Sequence, residues 1–424
     1  MAEVNVFQEV KKLGRDAIGF RMAPVDVAFA NTLRRLVLTG VETVAFRSDM
    51  NELGKTSDVQ VIRNTTPMTN EMLADRIGLL PITVKNPMDW DPDAYTFKLS
   101  VTNESPEPRD VVAADIQVFR KGKDGEEILE ANNTFFHPDP ITGETALIAV
   151  LKGKRTGQPP ETIELVAKAS MGKGREHTRF NPVSQCSYRY TLDTDERRLA
   201  DLFEKWMIRA KKIPDPKSIE EAQKKELQAE YNTMEIDRCY RMDDNGEPNS
   251  FDFVVETVGT LDPYYIVKRA LDAAVIMATR YTTVDTQALP QDLRVTPAAN
   301  RLEGFDFTFQ NQDHTLGNLL QSYIDLFMMD GSKVTYVGYN VPHPLRDEMV
   351  LRLGIAGGQE VDARKVLAEA SRGCAQLFRG FGESWQRAIG APAPAKPAVV
   401  VKGKVKASAV RGATAAKKPG GVIG

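Results

Sequence analysis

The later of two similar stretches in the chain has the pattern of a strand followed by an amphipathic helix. Segment 305–310, FDFTFQ, alternates apolar and polar residues, which is typical of a half-buried strand. Asp313 or Thr315 can cap the start of the helix that follows. Its apolar residues recur at intervals of three and four, as on one wide helical face. They are Leu316, Leu319, Leu320, Tyr323, Ile324, Phe327 and Met328.

An earlier stretch repeats this pattern. Segment 17–22, AIGFRM, alternates and predicts a strand. The apolar face of the helix after it consists of Val27, Ala30, Leu33, Leu36 and Val37. When Asn31 is aligned on Asn318, FANTLRRL lies over LGNLLQSY. Two similar strand–helix units in one chain predict a pseudo-symmetric pair whose apolar faces pack against each other.

Two more helices are predicted. One begins with Asp262 as N-cap and Pro263 at the first helical position. The other runs from about Glu360 to Ile389 and contains Gly373 among three glycines, each of which weakens a helix by about 1 kcal/mol relative to alanine. Its apolar stripe fits core packing within one domain as well as a dimer-like seam, so the pattern leaves both open. The predicted seam residues are Leu33, Leu36, Val37, Leu316, Leu319, Leu320, Tyr323, Ile324, Phe327, Leu377 and Phe381.

Length and composition are those of a globular chain with more than one core. The chain has 424 residues, of which 42% are hydrophobic, and this predicts about two to three domains. No apolar run approaches the roughly eighteen residues that span a bilayer, and the start of the chain lacks the apolar core of a signal peptide. We expect an intracellular protein without a membrane partner.

Charge is distributed unevenly along the chain. Segment 391–424 holds seven Lys and Arg and no acid, so with a net charge of −3 overall the preceding residues carry −10. The segment is rich in Ala, Pro, Gly and Lys and has no periodic apolar face, which predicts a disordered tail. Two interpretations stay open: a solubilising extension, or a loose electrostatic contact with nucleic acid or an acidic partner.

The residue types that hold metals or perform catalysis do not form recognisable motifs. Cys186, Cys239 and Cys374 are too far apart for a zinc motif or a disulfide framework, and we interpret them as reduced structural thiols. Among the four histidines, His314 lies at a predicted helix start, where capping or packing is the simpler role. No G-x-x-x-x-G-K-[ST] phosphate loop occurs. We predict neither a catalytic site nor a cofactor.

Several blocks of the sequence resemble subunits of multisubunit RNA polymerases. FANTLRRLVLTGVETVAF (29–46), IRNTTPMTNEMLADRIGLLPI (62–82), GKGREHTRFNPVSQCSYRY (172–190) and FDFVVETVGTLDPYYIVKRAL (251–271) resemble the D-type, or third-largest, subunit, which is related to bacterial alpha. DHTLGNLLQSYIDLF, with VTYVGYNVPHPLRDEMVLRL, resembles the small L-type subunit that normally partners it. Taken together, the blocks resemble a fused D–L pair, as found in large DNA viruses of eukaryotes.

The resemblance implies an α+β fold with two alpha-like dimerisation modules, antiparallel strands packed on helices, that form an intramolecular pseudo-dimer. The implied domains are a split D-type module, an inserted β-rich domain, a linker, an L-type module and the tail. Their expected ranges are 1–50 with 246–288, 51–245, 289–300, 301–390 and 391–424. The D-type family often carries a cysteine cluster in or near the insert, but TVKNPMDWDPDAYTF (83–97) contains no cysteine. Asp89, Asp91 and Asp93 imitate a calcium loop without its glycine and glutamate. We predict no metal.

The function that the resemblance implies is a non-catalytic assembly platform of a DNA-directed RNA polymerase. Its partners would be the second-largest and largest subunits and small assembly subunits, with DNA reached only through the complex and no homo-oligomer. Asn31, Arg34 and Arg35 are the predicted docking residues, and the family points to Arg35 within the motif LRR. A solvated pair of helix charges is the alternative for these arginines. A protein of viral origin would be found in the virion and in the host cytoplasm or nucleus.

A DNA-binding architectural protein that acts through the basic tail is the alternative function. Such a protein would bind DNA on its own in a salt-sensitive way. The charge of −10 before the tail argues against it.

Overall fold

The computed structural model describes residues 5–48, 58–122, 124–298, 302–329 and 333–390. The described residues form seven α-helices: α1 (Val27–Thr39), α2 (Asn70–Gly78), α3 (Glu196–Ala210), α4 (Glu221–Met234), α5 (Pro263–Thr279), α6 (His314–Met328) and α7 (Glu360–Ala388). Their strands are β1 (Phe7–Lys12), β2 (Ala17–Met22), β3 (Glu42–Ala45), β4 (Val59–Asn64), β5 (Tyr95–Thr102), β6 (Arg109–Val112), β7 (Gln117–Lys121), β8 (Glu127–Glu130), β9 (Leu147–Leu151), β10 (Thr162–Ala167), β11 (Ser170–Lys173), β12 (Val183–Tyr190), β13 (Phe251–Thr257), β14 (Leu293–Pro297), β15 (Gly304–Gln310), β16 (Val334–Asn340) and β17 (Glu348–Ile355).

The fold is α+β and contains the same sheet-and-helix arrangement twice. The first module has a four-stranded antiparallel sheet in the order β1-β2-β13-β12, and the second has one in the order β14-β15-β17-β16. Helices α1 and α5 pack on the first sheet, and α6 and α7 pack on the second. The two strand–helix units predicted from the alternating and helical patterns, β2–α1 and β15–α6, are therefore both present.

The helix starts follow from local sequence. Asp262 accepts hydrogen bonds from the backbone N–H groups of Tyr264 and Tyr265, and Pro263 occupies the first turn of α5. Asp26 caps α1 by accepting from the Ala28 N–H, and Asp313 caps α6 by accepting from the Thr315 N–H. These bonds satisfy backbone donors that have no partner within the helix, so each helix begins at a fixed residue.

The insert between the two parts of the first module has its own hydrophobic core. A five-stranded sheet in the order β4-β10-β5-β7-β8 packs with α2 and the β6–β9 ribbon. Phe97 lies at the centre of this core, and its ring contacts those of Phe46 and Phe135 edge to face.

Two expected boundaries need correction. β12 falls within 51–245, which we had assigned to the insert, but it pairs with β13 and completes the first sheet. The α3–α4 hairpin, joined by a segment that contains Pro214 and Pro216, is consequently separate from the insert and has a small core of its own. The expected linker 289–300 contains β14, which pairs with β15. Strand pairing is non-local, so the alternation of a segment does not reveal which sheet it joins. The predicted tail, 391–424, lies outside the described residues.

Candidate functional site

The two modules share one continuous hydrophobic core, which includes the buried face of α1. Leu33 and Val37 of α1 are completely buried, and Leu36 is nearly so. The same core contains buried side chains of α5, α6 and α7. Because a single core spans the two modules, the apolar stripes predicted from the sequence cover each other within one chain.

Most of the predicted seam residues on α6 and α7 are buried in this core. Leu316, Leu319, Leu320 and Ile324 are fully buried, Phe381 is almost so, and Tyr323 and Leu377 are half-buried. Phe327 differs from the expectation, because its side chain is 60% exposed. It lies in the last turn of α6, where its ring is 6.5 Å from that of Phe29 and 4.9 Å from that of Tyr323.

A tryptophan from the second module fills a pocket in the first. Trp385 of α7 is fully buried, and its ring lies 5.1 Å from the rings of Phe7 and Phe20 on β1 and β2. Its indole N–H donates to the Tyr264 carbonyl at the start of α5. Trp385 belongs to the apolar stripe of α7, but no signal in the sequence indicates that its partners are in the first sheet.

Arg35 also reaches across the seam. Its Nε donates to the Thr315 hydroxyl at 2.7 Å, and its Nη2 lies 3.4 Å from Asp313 Oδ2. The sequence suggested that Arg35 faces another subunit or solvent, whereas its guanidinium contacts the capping turn of α6. About a third of each side chain of the ion pair, Arg35 and Asp313, is exposed.

The electrostatics of this capping turn favour a charged Asp313. Burial opposes ionisation of the carboxyl group, but hydrogen bonds from Thr315 and attraction to Arg175 and Arg35 lower its pKa overall. The adjacent His314 lies 3.3 Å from the Tyr339 hydroxyl, so it packs on the second sheet at the helix start. The capping residue is therefore an anion held between two arginines.

Arg34 has a different environment from its neighbour. Its Nε donates to Asn31 Oδ1 at 2.9 Å, which fixes the guanidinium on the surface of α1. It lines an open groove of about 630 Å³ whose other wall is the edge strand β12 and the segment after α4. Tyr188, Tyr190 and Tyr240 contribute aromatic rings to this groove, which we call the Arg34 groove.

The chemistry of the Arg34 groove favours recognition over catalysis. Burial raises the pKa of the Cys186 thiol to about 12, so the thiol stays protonated at neutral pH. Burial also raises the pKa of Tyr188. An arginine fork beside aromatic rings and an unpaired strand edge suits a partner that offers carboxylate or backbone oxygens.

The described residues lack the features of a metal cluster and of a membrane-spanning helix. Within them, no group of three or more His, Cys, Asp or Glu could hold a metal ion. Asp93, from the aspartate run of the insert, instead accepts a hydrogen bond from Lys168. Among the described helices, none is long and apolar enough to cross a membrane.

Comparison with known proteins accounts for both modules. The family described as the RNA polymerase Rpb3/Rpb11 dimerisation domain matches residues 19–275, and a second match to that description covers residues 305–384. The first match spans more than half of the chain. The second begins in β15 and ends in α7.

The chain is also similar to known subunits of RNA polymerases. DNA-directed RNA polymerase subunit Rpo3 of Methanosphaera stadtmanae is 25% identical over 286 residues, which cover 62% of this chain and 93% of the relative. Rpo3 of Pyrococcus horikoshii is 27% identical over 285 residues, covering 64% and 95%. The mouse subunit RPAC1 of DNA-directed RNA polymerases I and III is 26% identical over 212 residues, covering 44% and 55%. The chain belongs to the RNA polymerase Rpb3/Rpb11 dimerisation-domain family and is an alpha-like RNA polymerase subunit with a duplicated module.

Proposed function

We propose that this chain is the non-catalytic assembly platform of a multisubunit DNA-directed RNA polymerase and that it docks the second-largest and then the largest subunit. The observation that carries the proposal is the single core shared by two dimerisation modules, since it supplies within one chain a pairing that otherwise needs two. Joining the modules fixes their ratio and makes their association intramolecular.

The docking surface that we propose is the Arg34 groove, with Asn31 orienting the guanidinium. Arg34 lines an open groove. Arg35, by contrast, donates hydrogen bonds to Thr315 and Asp313 of the second module. The second-largest subunit is the partner that we assign to this groove, through carboxylate or backbone oxygens. Arg35 contributes indirectly, by holding α1 against α6.

The test is recovery of the large subunits with tagged full-length chain. Arg34→Ala is expected to reduce recovery of the second-largest subunit by about tenfold, since charged pairs in an interface contribute about 1.5 kcal/mol or more. Arg34→Lys keeps the charge but not the planar guanidinium fork, so it is expected to restore little of the lost binding to the second-largest subunit. Arg15→Ala, which removes an exposed arginine that does not line the groove, is the matched control.

Two results would contradict the proposal. Full recovery with Arg34→Ala, at wild-type stability, would reject the groove as the docking site. Failure of the wild-type chain to recover either large subunit would reject the platform itself.

A further inference from the structure

A second groove, of about 580 Å³, opens between α6 and α7 and has no occupant among the described residues. Tyr323 and Phe327 line it from α6, and Leu377, Gly380 and Phe381 line it from α7. Phe327 is 60% exposed, and a Cβ placed at Gly380 would meet no other atom within 4 Å. We call this surface the α6–α7 groove. An apolar surface of this shape is typical of a binding site for an apolar segment.

The chain that follows α7 begins next to this groove. Gly390, just past the helix end, has φ +67°, and its N–H donates to the Arg387 carbonyl. A left-handed residue at this position turns the chain away from the helix axis. The last described residue of the chain therefore lies close to the Arg387 end of the groove.

The length of the following segment matches the distance it must cover. The groove extends along α7 from Arg387 back to Gly373, which is about 25 Å before Gly390 at 1.5 Å per residue. Val399, Val400 and Val401 are nine to eleven residues after Gly390. Three prolines precede them, and a proline-rich segment spans about 3.1 Å per residue, or about 28 Å over nine residues.

The chemistry of the segment also suits the groove. The three valines form the longest apolar β-branched run of the tail, and Lys402 follows them directly. The groove offers aromatic and aliphatic side chains together with one acid, Glu383, and one base, Arg387, at its end. Valine side chains can enter the apolar floor while the lysine approaches the carboxylate.

We propose that residues 396–402 of this chain dock as an extended segment in the α6–α7 groove. The tail then covers the exposed face of Phe327 and buries apolar surface that neither the tail nor the helices can bury separately. This inference is independent of the proposed assembly role, because it concerns contacts within one chain.

Disulfide trapping in the full-length chain tests the proposal. Gln376 is exposed on the groove wall, and the three native cysteines are buried, so Gln376→Cys introduces the accessible thiol of the described surface. It is combined with Val400→Cys in one protein and with Ala415→Cys in another. For a free tail, the difference in loop length alone favours position 400 by about twofold. We define the ratio as the intrachain disulfide yield with Val400→Cys divided by the yield with Ala415→Cys. Docking is expected to raise this ratio to about tenfold or more, because it increases the effective concentration of the thiol at position 400 near the thiol at position 376.

Two further variants test whether the groove and the valines cause the preference. Val399→Ser with Val401→Ser changes only the tail, so it cannot unfold the modules, and it is expected to return the ratio to about twofold. Phe327→Ala is expected to do the same, whereas Leu345→Ala, at a site that is 89% exposed elsewhere, is expected to leave the ratio unchanged.

Several outcomes would overturn the proposal. A ratio of about two in the parent pair would mean that the tail does not dock, as it would if residues 1–4 or another partner filled the groove. Disulfides that form between chains and disappear on dilution would assign the groove to a second copy. A high ratio that survives the serine substitutions would show that the valines are not the docking element.

Discussion

Two neighbouring arginines of one motif have different surroundings in this protein. Arg34 and Arg35 are adjacent on α1, and adjacent helical residues point about 100° apart. That rotation directs Arg34 into the open groove beside β12 and Arg35 towards the capping turn of α6. A motif match therefore identifies the pair, but the fold gives the two arginines different surroundings.

Arg35→Ala is expected to lower the free energy of unfolding by about 1–2 kcal/mol, because it removes a hydrogen bond and a partly exposed ion pair across the seam. Urea unfolding of the single and double variants with Thr315→Val measures the coupling between the two side chains. A coupling of about 1 kcal/mol is expected for a direct hydrogen bond. Strict additivity would show that Arg35 does not stabilise the seam through Thr315.

At the scale of single elements, α7 shows how a weak helix sequence can be needed for packing. Its glycines lower helix propensity, but α7 is continuous over 29 residues. At Gly373 a Cβ would lie 2.0 Å from the Tyr323 hydroxyl oxygen of α6, so only glycine lets the two helices approach this closely. The cost in propensity is offset by packing of α7 against α6 within the second module.

Gly373→Ala is expected to destabilise the protein by about 1–3 kcal/mol, since the added methyl group displaces Tyr323. Gly380→Ala is the matched control in the same helix, because open space surrounds that position, and it is expected to stabilise the protein by up to about 1 kcal/mol. Thermal unfolding of both variants provides the comparison. Equal effects of the two substitutions would contradict the packing role of Gly373.

The link between α5 and β3 depends on a mostly buried ion pair. Arg269 donates two hydrogen bonds to Glu42, at 2.8 and 3.0 Å, and Lys173 of β11 lies 3.2 Å from the same carboxylate. Burial opposes ionisation of Glu42, but the hydrogen bond from Arg269 and attraction to Lys173 lower its pKa overall. The ionised pair thus stabilises the contact between α5 of the first module and β3, the strand that leads into the insert.

Glu42→Gln is expected to cost about 2–3 kcal/mol at pH 7, because it leaves Arg269 without its charged partner. A carboxyl group whose pKa is lowered on folding stabilises the native state above its unfolded pKa, near 4.5, and this contribution is lost as the pH falls through the folded value. The stability difference between wild type and variant should therefore shrink below pH 4.5. Urea titrations at several pH values measure it, and a constant difference would refute the assignment.

At the scale of the whole molecule, the two modules are expected to unfold together. Trp385 of the second module is enclosed by Phe7 and Phe20 of the first, and the core is continuous across the seam. The α3–α4 hairpin, by contrast, packs mainly on a small cluster of its own around Phe203 and Tyr231. Stability is therefore shared between the modules and more local in the hairpin.

Trp385→Ala is expected to lower stability by about 3–5 kcal/mol and to increase amide hydrogen exchange in β1 and β2, although the substitution is in the other module. Trp206→Ala, within the hairpin cluster, is the control and is expected to leave exchange in β1 and β2 unchanged. Exchange measured by mass spectrometry reports both regions in one experiment. Protection of β1 and β2 that is unaffected by Trp385→Ala would mean that the modules fold independently.

The sequence by itself determined the local elements and the duplication, because these depend on periodicity and on capping within a few residues. The α1 and α6 stripes and the Asp262 cap all occur where their patterns predict them. Burial of most seam residues follows from the same periodicity, since a face that is apolar over several turns must be covered.

Only the tertiary structure decided which distant groups meet. Arg35 with Thr315, Trp385 with Phe7, and the place of β12 in the first sheet join residues far apart in the chain. Periodicity identifies the face that a side chain occupies but carries no information on the surface opposite. That surface is set by the packing of whole elements, which is why the roles of Arg34 and Arg35 separated only in the folded chain.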